Sequence, residues 1–454
     1  MDFINQLLNL LFSPFGLAGI TIAVFALMRA KRSPRVAWLL FSLCAFAASL
    51  GKFRDEFVDE PPALVFPLQQ LRDNGRPLAI VLLILVLILG MQSQNGWRHR
   101  FLPQAIKYLV TVQAIIFLKV AAFGDAGFAL LSITTFGMVI QTLRLGPSRW
   151  IQDDKGFRLG VWSIAMVGLI FVTVNAYQAM FDLDAITFVQ GRFLGTTGNP
   201  LHATVLLSAV IPCFMFFIED SKKWLWGKVF WIASLTSILY ALFLTGSRTG
   251  LFMAVTSILF FYRNQGGKLI RFILIAGIIV LVILPTFAPD VLGSIDTNLI
   301  DRYLSGSNTR SGVWEAQWRG FSSNLLFGVP LRGGRLGFGE NSWLAVGVAA
   351  GLLGFIPLAL FGIECLKMIV NLSRIGYQQP TYFLQTSTVI SGLGSLLVGS
   401  LSEAFLLGNF TFSLIAVLMY LLLGEYLLEF WDIQRQYSMS QFDKMEEKVY
   451  FLQH

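Results

Sequence analysis

The chain of 454 residues is 55% hydrophobic and only 13% charged, and its mean hydropathy is +0.67. Apolar runs of roughly 16–25 residues recur along most of it, as a hydrocarbon core about 30 Å thick requires. Because backbone polar groups in lipid must be satisfied within their own segment, we expect an all-α, polytopic membrane protein. The net charge of +8 does not indicate a nucleic-acid partner, since the basic residues lie in short loops between apolar runs.

Thirteen apolar segments are candidate membrane spans. In chain order they cover residues 13–28, 36–51, 78–91, 106–123, 127–143, 159–180, 201–218, 229–245, 249–262, 270–288, 342–366, 383–401 and 407–428. The first segment and 249–262 are short enough to dip into the membrane without crossing it, so we expect 12 or 13 spans.

Lysine and arginine are distributed unequally between alternate loops, which predicts the orientation of the chain. One set of loops, beginning with residues 29–35, holds 22 of the 34 basic residues, and the other set holds 11. The richer set is expected in the cytoplasm. We therefore predict three regions: N-terminal spans over 1–180, a membrane core over 181–430 with a large outer loop at 289–341, and a cytoplasmic tail over 431–454.

Arginines lie in three of the four polar loops on the predicted outer face, at 181–200, 246–249 and 289–341, whereas the fourth, 402–406, contains none. We single out one from each loop: Arg192, Arg248 and Arg310. Arg248 is held between two apolar segments, so its side chain faces either the bundle or the lipid headgroups. Because guanidinium grips phosphate bidentately without needing a metal, the three side chains together are candidates for one anion site.

Four ordered stretches resemble the O-antigen ligase/polymerase superfamily of bacterial membrane glycosyltransferases. They are "GRFLGTTGNPLHAT" (191–204), "TGSRTG" (245–250), "TRSGVWEAQWRGFSSNLLFGVP" (309–330) and "ENSWLAVGVAAGLLGF" (340–355). The resemblance implies transfer of a glycan from an undecaprenyl-diphosphate donor to an acceptor hydroxyl, on the outer face of the bacterial inner membrane. It implies neither metal nor cofactor, and it assigns the diphosphate to Arg192, Arg248 and Arg310.

The resemblance also implies a general base at the start of the span after the large loop, where the family has a histidine followed by an asparagine. Here that pair reads Glu340-Asn341, and Asn341 is a candidate substrate-binding residue. A carboxylate can accept the proton of a sugar hydroxyl as well as an imidazole can. His202, at the outer end of another span, is the rival base. Alternatively, Glu340 caps its helix or pairs with Arg332 or Arg335.

A metal site is not expected, although Asp182 and Asp184 form an acid pair of the kind some glycosyltransferases use. The three cysteines all fall inside apolar runs, so neither a disulfide framework nor a zinc site is predicted.

Three functions fit the pattern. The first is a polymerase that extends one lipid-linked repeat with another and has a chain-length regulator as a candidate partner. The second is a ligase that transfers the glycan to the lipid A core or another acceptor. The third is a transporter or flippase, whose signature would be ionisable residues within spans and paired broken helices.

Overall fold

The computed structural model describes residues 14–50, 62–92, 102–187, 191–221, 225–268, 270, 310–330, 340–407 and 410–452. Over these ranges the fold is all-helical. Nine of the helices found there are long and apolar enough to cross a membrane. The chain is therefore a multi-pass membrane protein, as the composition predicted.

The helices follow in chain order. They are α1 (Pro14–Arg32), α2 (Pro34–Ala47), α3 (Leu68–Asp73), α4 (Gly75–Gln92), α5 (Gln104–Phe123), α6 (Ala126–Leu145), α7 (Pro147–Trp150), α8 (Asp154–Ala179), α9 (Asp184–Thr187), α10 (Pro200–Asp220), α11 (Leu225–Leu244), α12 (Arg248–Phe261), α13 (Ser311–Ser323), α14 (Ser342–Gln378), α15 (Phe383–Ser400) and α16 (Phe412–Leu452).

Twelve of the thirteen candidate spans overlap these helices, and the segment 270–288 lies outside the described residues apart from Ile270. The large predicted loop is described only over 310–330 and from Glu340 onward. Two of the apolar helices, α2 and α12, have 14 residues each, which gives a length of about 21 Å. The core of a bilayer is thicker than that, so neither helix is counted among the nine that are long enough to cross it.

Polar contacts between helix ends identify the two opposite ends of the bundle. Arg158 pairs with Asp220 at 2.8 Å and Lys268 pairs with Glu219 at 2.7 Å at one end of the bundle. At the other end, Ser342 Oγ donates to the carbonyl of Glu403 at 2.7 Å. We call this second end the site end. The loops predicted to share a side do meet there, while the assignment of that side to the outer face still depends on the charge rule.

Helices α10, α15 and the first part of α16 form the centre of the bundle. About 78% of the apolar window of α10 is buried, against 33% for α4, α6 and α11. Serines of α15 link it to the neighbouring α12, because Ser391 Oγ donates to the carbonyl of Ser257 at 2.6 Å and Ser395 Oγ to that of Met253 at 3.0 Å. Small residues and short hydrogen bonds of this kind are what membrane helices use to approach closely.

Helix α14 reverses direction at Gly351, which the sequence did not predict. As one straight helix, its 37 residues would be about 55 Å long. Gly351 instead has φ 60° and ψ −153°, and the indole ring of Trp343 packs against Gly362 on the far side of the turn. The chain therefore forms a first leg over 342–350 and a second leg over 352–378, lying side by side and antiparallel. The candidate span 342–366 is not one straight helix.

The close approach of α15 to α16 leads to a stability prediction. A Cβ on Gly392 would overlap the ring of Tyr420, whose hydroxyl donates to the carbonyl of Ala209 at 2.7 Å. Gly392→Ala should therefore lower the free energy of unfolding by about 1–3 kcal/mol, as overpacking does. Thermal unfolding in detergent measures the change. The matched control is Gly137→Ala, where a Cβ meets no atom within 4 Å. Equal melting temperatures for the two variants would contradict the packing described here.

Candidate functional site

Four charged side chains from four separate segments meet at the site end. They are Arg192, Arg310, Glu340 and Glu403, and we call them the charge cluster. Arg192 precedes α10, Arg310 begins α13, Glu340 precedes the first leg of α14, and Glu403 follows α15. Charges are costly beside a membrane unless they compensate one another, so such a convergence marks a candidate functional site.

Arg310 lies at the centre of the charge cluster. Its Nη2 donates to Oε1 of Glu403 at 2.5 Å, and its Nη1 donates to Thr249 Oγ1 at 2.9 Å and to the carbonyl oxygen of Ser402 at 2.5 Å. Its Nε lies 3.4 Å from Oε2 of Glu340. The fork of the guanidinium therefore joins the start of α12, the loop after α15 and Glu340, two residues before α14.

Glu340 is the more accessible of the two carboxylates. Its side chain is 34% exposed, against 7% for Glu403. Within the described part of the chain its Oε2 atom is buried without a hydrogen bond, although it lies near Arg310. The capping role that one interpretation gave to Glu340 belongs to Asn341, whose side-chain oxygen accepts from the backbone N–H groups of Trp343 and Leu344 at 2.8 and 3.0 Å. The alternative partners Arg332 and Arg335 lie outside the described residues.

Glu403 titrates far from the usual range of a carboxyl. Burial raises its pKa to about 7, and the negative charge of Glu340 acts in the same direction. The positive charges of Arg310 and Arg192 oppose the increase. Desolvation therefore outweighs two neighbouring cations, which places this carboxyl in a largely water-free part of the cluster.

The other two predicted arginines occupy different positions. Arg192 is half-buried, and its Nε donates to the carbonyl oxygen of Thr245 at 2.8 Å. Arg248 is exposed and is the first residue of α12, between the capping Ser247 and the Thr249 that accepts from Arg310. The structure thus brings Arg192 and Arg310 close to the carboxylate of Glu403 and places Arg248 at the start of α12, next to Thr249.

Buried polar atoms without a hydrogen-bond partner recur at the site end. Besides Glu340 Oε2 they include Thr196 Oγ1, Asn175 Oδ1, Trp314 Nε1 and Gln317 Oε1. Trp314 and Gln317 lie one turn apart on α13, the helix that Arg310 begins. Buried polar groups are normally paired, but unpaired atoms also occur away from this end, on Thr142, Arg263 and Gln385, so they do not by themselves mark a ligand site.

The remaining predicted residues lie outside these contacts. His202 is exposed in the first turn of α10, and among the described residues no hydrogen bond or ion pair links it to the charge cluster. Asp182 Oδ1 accepts from the backbone N–H groups of Asp184 and Ala185 at 2.9 and 3.4 Å, so it caps the short helix α9. No group of three or more metal-ligating side chains occurs over the ranges that the structure describes.

Glu403 is the residue that sequence reasoning missed. Its loop, "SEAFL", was recognised as part of the predicted outer face but was not assigned a role. A lone acid in a five-residue loop between apolar segments was the available signal, because an unpaired charge there needs a counter-ion. Only the fold shows that this counter-ion is Arg310, 93 residues earlier in the chain.

No protein-family model matches the chain, and no curated protein matches it either. The resemblance carried by the four sequence stretches accordingly stays a prediction. The class that the fold defines is a multi-pass membrane protein, and the chemistry of its charge cluster is argued from its own residues.

The raised pKa of Glu403 predicts a pH-dependent stability. Between its ordinary value of 4.5 and about 7, the folded protein holds the proton more tightly than the unfolded chain does. The contribution of this group to the free energy of unfolding is therefore present at the acidic side and is lost as the pH rises through about 7. When the free energy of unfolding is measured across this pH range, it should fall with rising pH in wild type and not in Glu403→Gln. Parallel pH profiles for the two proteins would contradict the assignment.

Proposed function

We propose that the protein is a bacterial inner-membrane polysaccharide polymerase. It transfers a glycan from an undecaprenyl-diphosphate-linked donor to a hydroxyl of a second lipid-linked repeat, on the outer face. The observation that carries the proposal is the charge cluster, in which a partly exposed carboxylate lies 3.4 Å from an arginine that two other segments hold in place. This arrangement supplies a base and an anion-stabilising environment without a metal.

In the proposed reaction the acceptor oxygen attacks the anomeric carbon of the donor sugar. A carbon–oxygen bond forms there while the bond from that carbon to the diphosphate oxygen breaks, and undecaprenyl diphosphate leaves. The acceptor proton goes to a carboxylate oxygen of Glu340. Glu340 suits this role better than Glu403, because about a third of its side chain is exposed while Glu403 is almost fully enclosed.

The leaving diphosphate requires cations, and two of the predicted arginines are accessible to it. Arg248 is exposed and Arg192 is half-buried beside it on the same end of the bundle. Arg310 is only 21% exposed, and its contacts with Glu403, Thr249 and Ser402 hold it inside the cluster. We therefore assign direct diphosphate contact to Arg248 and Arg192, and to Arg310 the positioning of Glu340. A ligase would use the same site with a different acceptor.

A transporter or flippase is the second candidate, and the reversal of α14 favours it. Irregular backbone at membrane depth is typical of substrate sites in transporters. In this chain, however, Lys119 Nζ already donates to the carbonyl oxygens exposed at that reversal, at 2.5–2.8 Å. The geometry thus favours a site at the charge cluster over one at the reversal.

Deleting the gene from a bacterium that carries it tests the function. A polymerase defect leaves single repeats on the acceptor in a glycan gel, whereas a ligase defect leaves bare acceptor and polymer on the lipid carrier. We expect the first pattern, restored by wild type and by Arg319→Ala but not by Arg248→Ala at equal protein level. Arg319 is 71% exposed on α13 and serves as the matched control. An unchanged glycan profile after deletion would exclude both the polymerase and the ligase.

The identity of the base is tested with two variants in a purified system. Glu340→Gln should lower the turnover number about 10²- to 10⁴-fold, because it removes the proton acceptor while keeping the side-chain shape. His202→Ala should keep turnover near wild type, since His202 has no contact with the charge cluster among the described residues. The measurement is release of undecaprenyl diphosphate from a synthetic donor. Loss of turnover in His202→Ala together with an active Glu340→Gln would transfer the role to His202.

A further inference from the structure

Lys119 makes an unusual set of contacts for a lysine in a membrane helix. It lies near the C-terminal end of α5, and its Nζ donates to the carbonyl oxygens of Phe327, Val329 and Ala349 at 2.5, 2.8 and 2.7 Å. An ammonium group has three N–H donors, and here each can have one carbonyl acceptor. Three acceptors from two distant parts of the chain thus converge on one cation.

These carbonyl groups are available because the backbone bends sharply on both sides of the ammonium. Gly351 ends the first leg of α14 with φ 60°, and Gly328 has φ 72° in the segment after α13. A Cβ on Gly328 would overlap the carbonyl oxygen of Val348, and one on Gly351 would overlap the backbone of Leu326. Only glycine fits at either bend, since both the conformation and the space exclude a side chain.

The segment 324–330, which we call the staple segment, completes the reversal of α14. The N–H of Val329 donates to the carbonyl of Val348 at 2.8 Å, and that of Leu352 donates to the carbonyl of Leu325 at 2.7 Å. The staple segment therefore satisfies backbone groups that the turn leaves without helical partners. Lys119 closes the arrangement from a third element, α5.

The staple segment directly follows α13, whose first turn begins at Arg310. Phe321 of α13 packs against Gly347 on the first leg of α14, and its ring lies 5.4 Å from that of Phe355 on the second leg. Helix α13 and the first leg thus run side by side, with Arg310 and Glu340 at one end and Lys119 near the other. A displacement of the staple segment would shift Arg310 relative to Glu340.

We propose that Lys119 is a positioning residue that fastens the staple segment to the turn of α14 and thereby holds Arg310 beside Glu340. The ammonium group acts as a tethered cation in a cage of three carbonyls. The fastening of the staple segment rests on the observed contacts alone. The expected effect on turnover also rests on the proposed function.

A distance measurement between α13 and α14 tests the structural part. Spin labels are attached at Trp318→Cys on α13 and Val370→Cys on the second leg of α14, both exposed positions. The three native cysteines are buried, which favours selective labelling. In the full-length protein we expect Lys119→Met to broaden and shift the distance distribution and Lys119→Arg to keep it narrow. The matched control is Leu118→Met, an exposed neighbour on the same helix, which should leave the distribution unchanged.

An unaltered distribution in Lys119→Met would overturn the proposal. If Lys119→Met does not fold, Lys119→Gln is measured in its place, because it still donates hydrogen bonds without the charge. Failure of both variants to fold, while Leu118→Met folds, would also overturn it, since Lys119 would then support the whole bundle rather than one contact.

Turnover separates this proposal from the proposed function. A misplacement of catalytic groups by about 1 Å lowers the turnover number by about 100-fold. Lys119→Met should therefore lower kcat and leave the KM for the donor unchanged. Lys119→Arg should keep kcat near the wild-type value. A changed distance with full polymerase activity would support the fastening and count against the role of the charge cluster in the reaction. A loss of activity with an unchanged distance between the labels on α13 and α14 would contradict the positioning role.

Discussion

A partly buried guanidinium is the constraint on which the site end of the bundle depends. Arg310 cannot remain in a weakly polar environment unless anions and carbonyl oxygens surround it. Its partners come from the start of α12, the loop after α15 and the short stretch before α14. The position of one side chain therefore determines where three helix ends meet.

The reversal of α14 sets the depth of the charge cluster. The first leg, over 342–350, brings the chain back about 13 Å along the second leg. Glu340 thus lies beside the middle of a longer helix instead of at the end of one. The backbone groups that have no helical partner at the turn bond to the staple segment and to Lys119. Because the staple segment directly follows α13 in the chain, the contacts at the turn also fix the position of α13 and of Arg310. The depth of the charge cluster and the pairing of Arg310 with Glu340 therefore both depend on the packing of α13, the staple segment and α14.

Hydropathy was enough to find the spans, because lipid imposes the same length and polarity on every helix that crosses it. It could not reveal the reversal at Gly351, since "AAGLLGF" is a continuous apolar run and glycine is common in straight membrane helices. Arg310 and Glu340 stood out separately, as charges in polar stretches near spans. Glu403 did not, because its partner is remote in sequence and the pairing exists only in the folded bundle.

The two glutamates differ in environment, and that difference gives them different roles in the proposed reaction. Glu403 is enclosed, has a pKa raised to about 7 and lies 2.5 Å from Arg310, whereas Glu340 is partly exposed and 3.4 Å away. The negative charge of Glu340 is one of the causes that raise the pKa of Glu403. When Glu340 takes a proton from the acceptor, this repulsion disappears and ionised Glu403 becomes more stable. Arg310 then keeps one carboxylate as counter-ion throughout, so the base can change its charge without leaving a buried cation uncompensated.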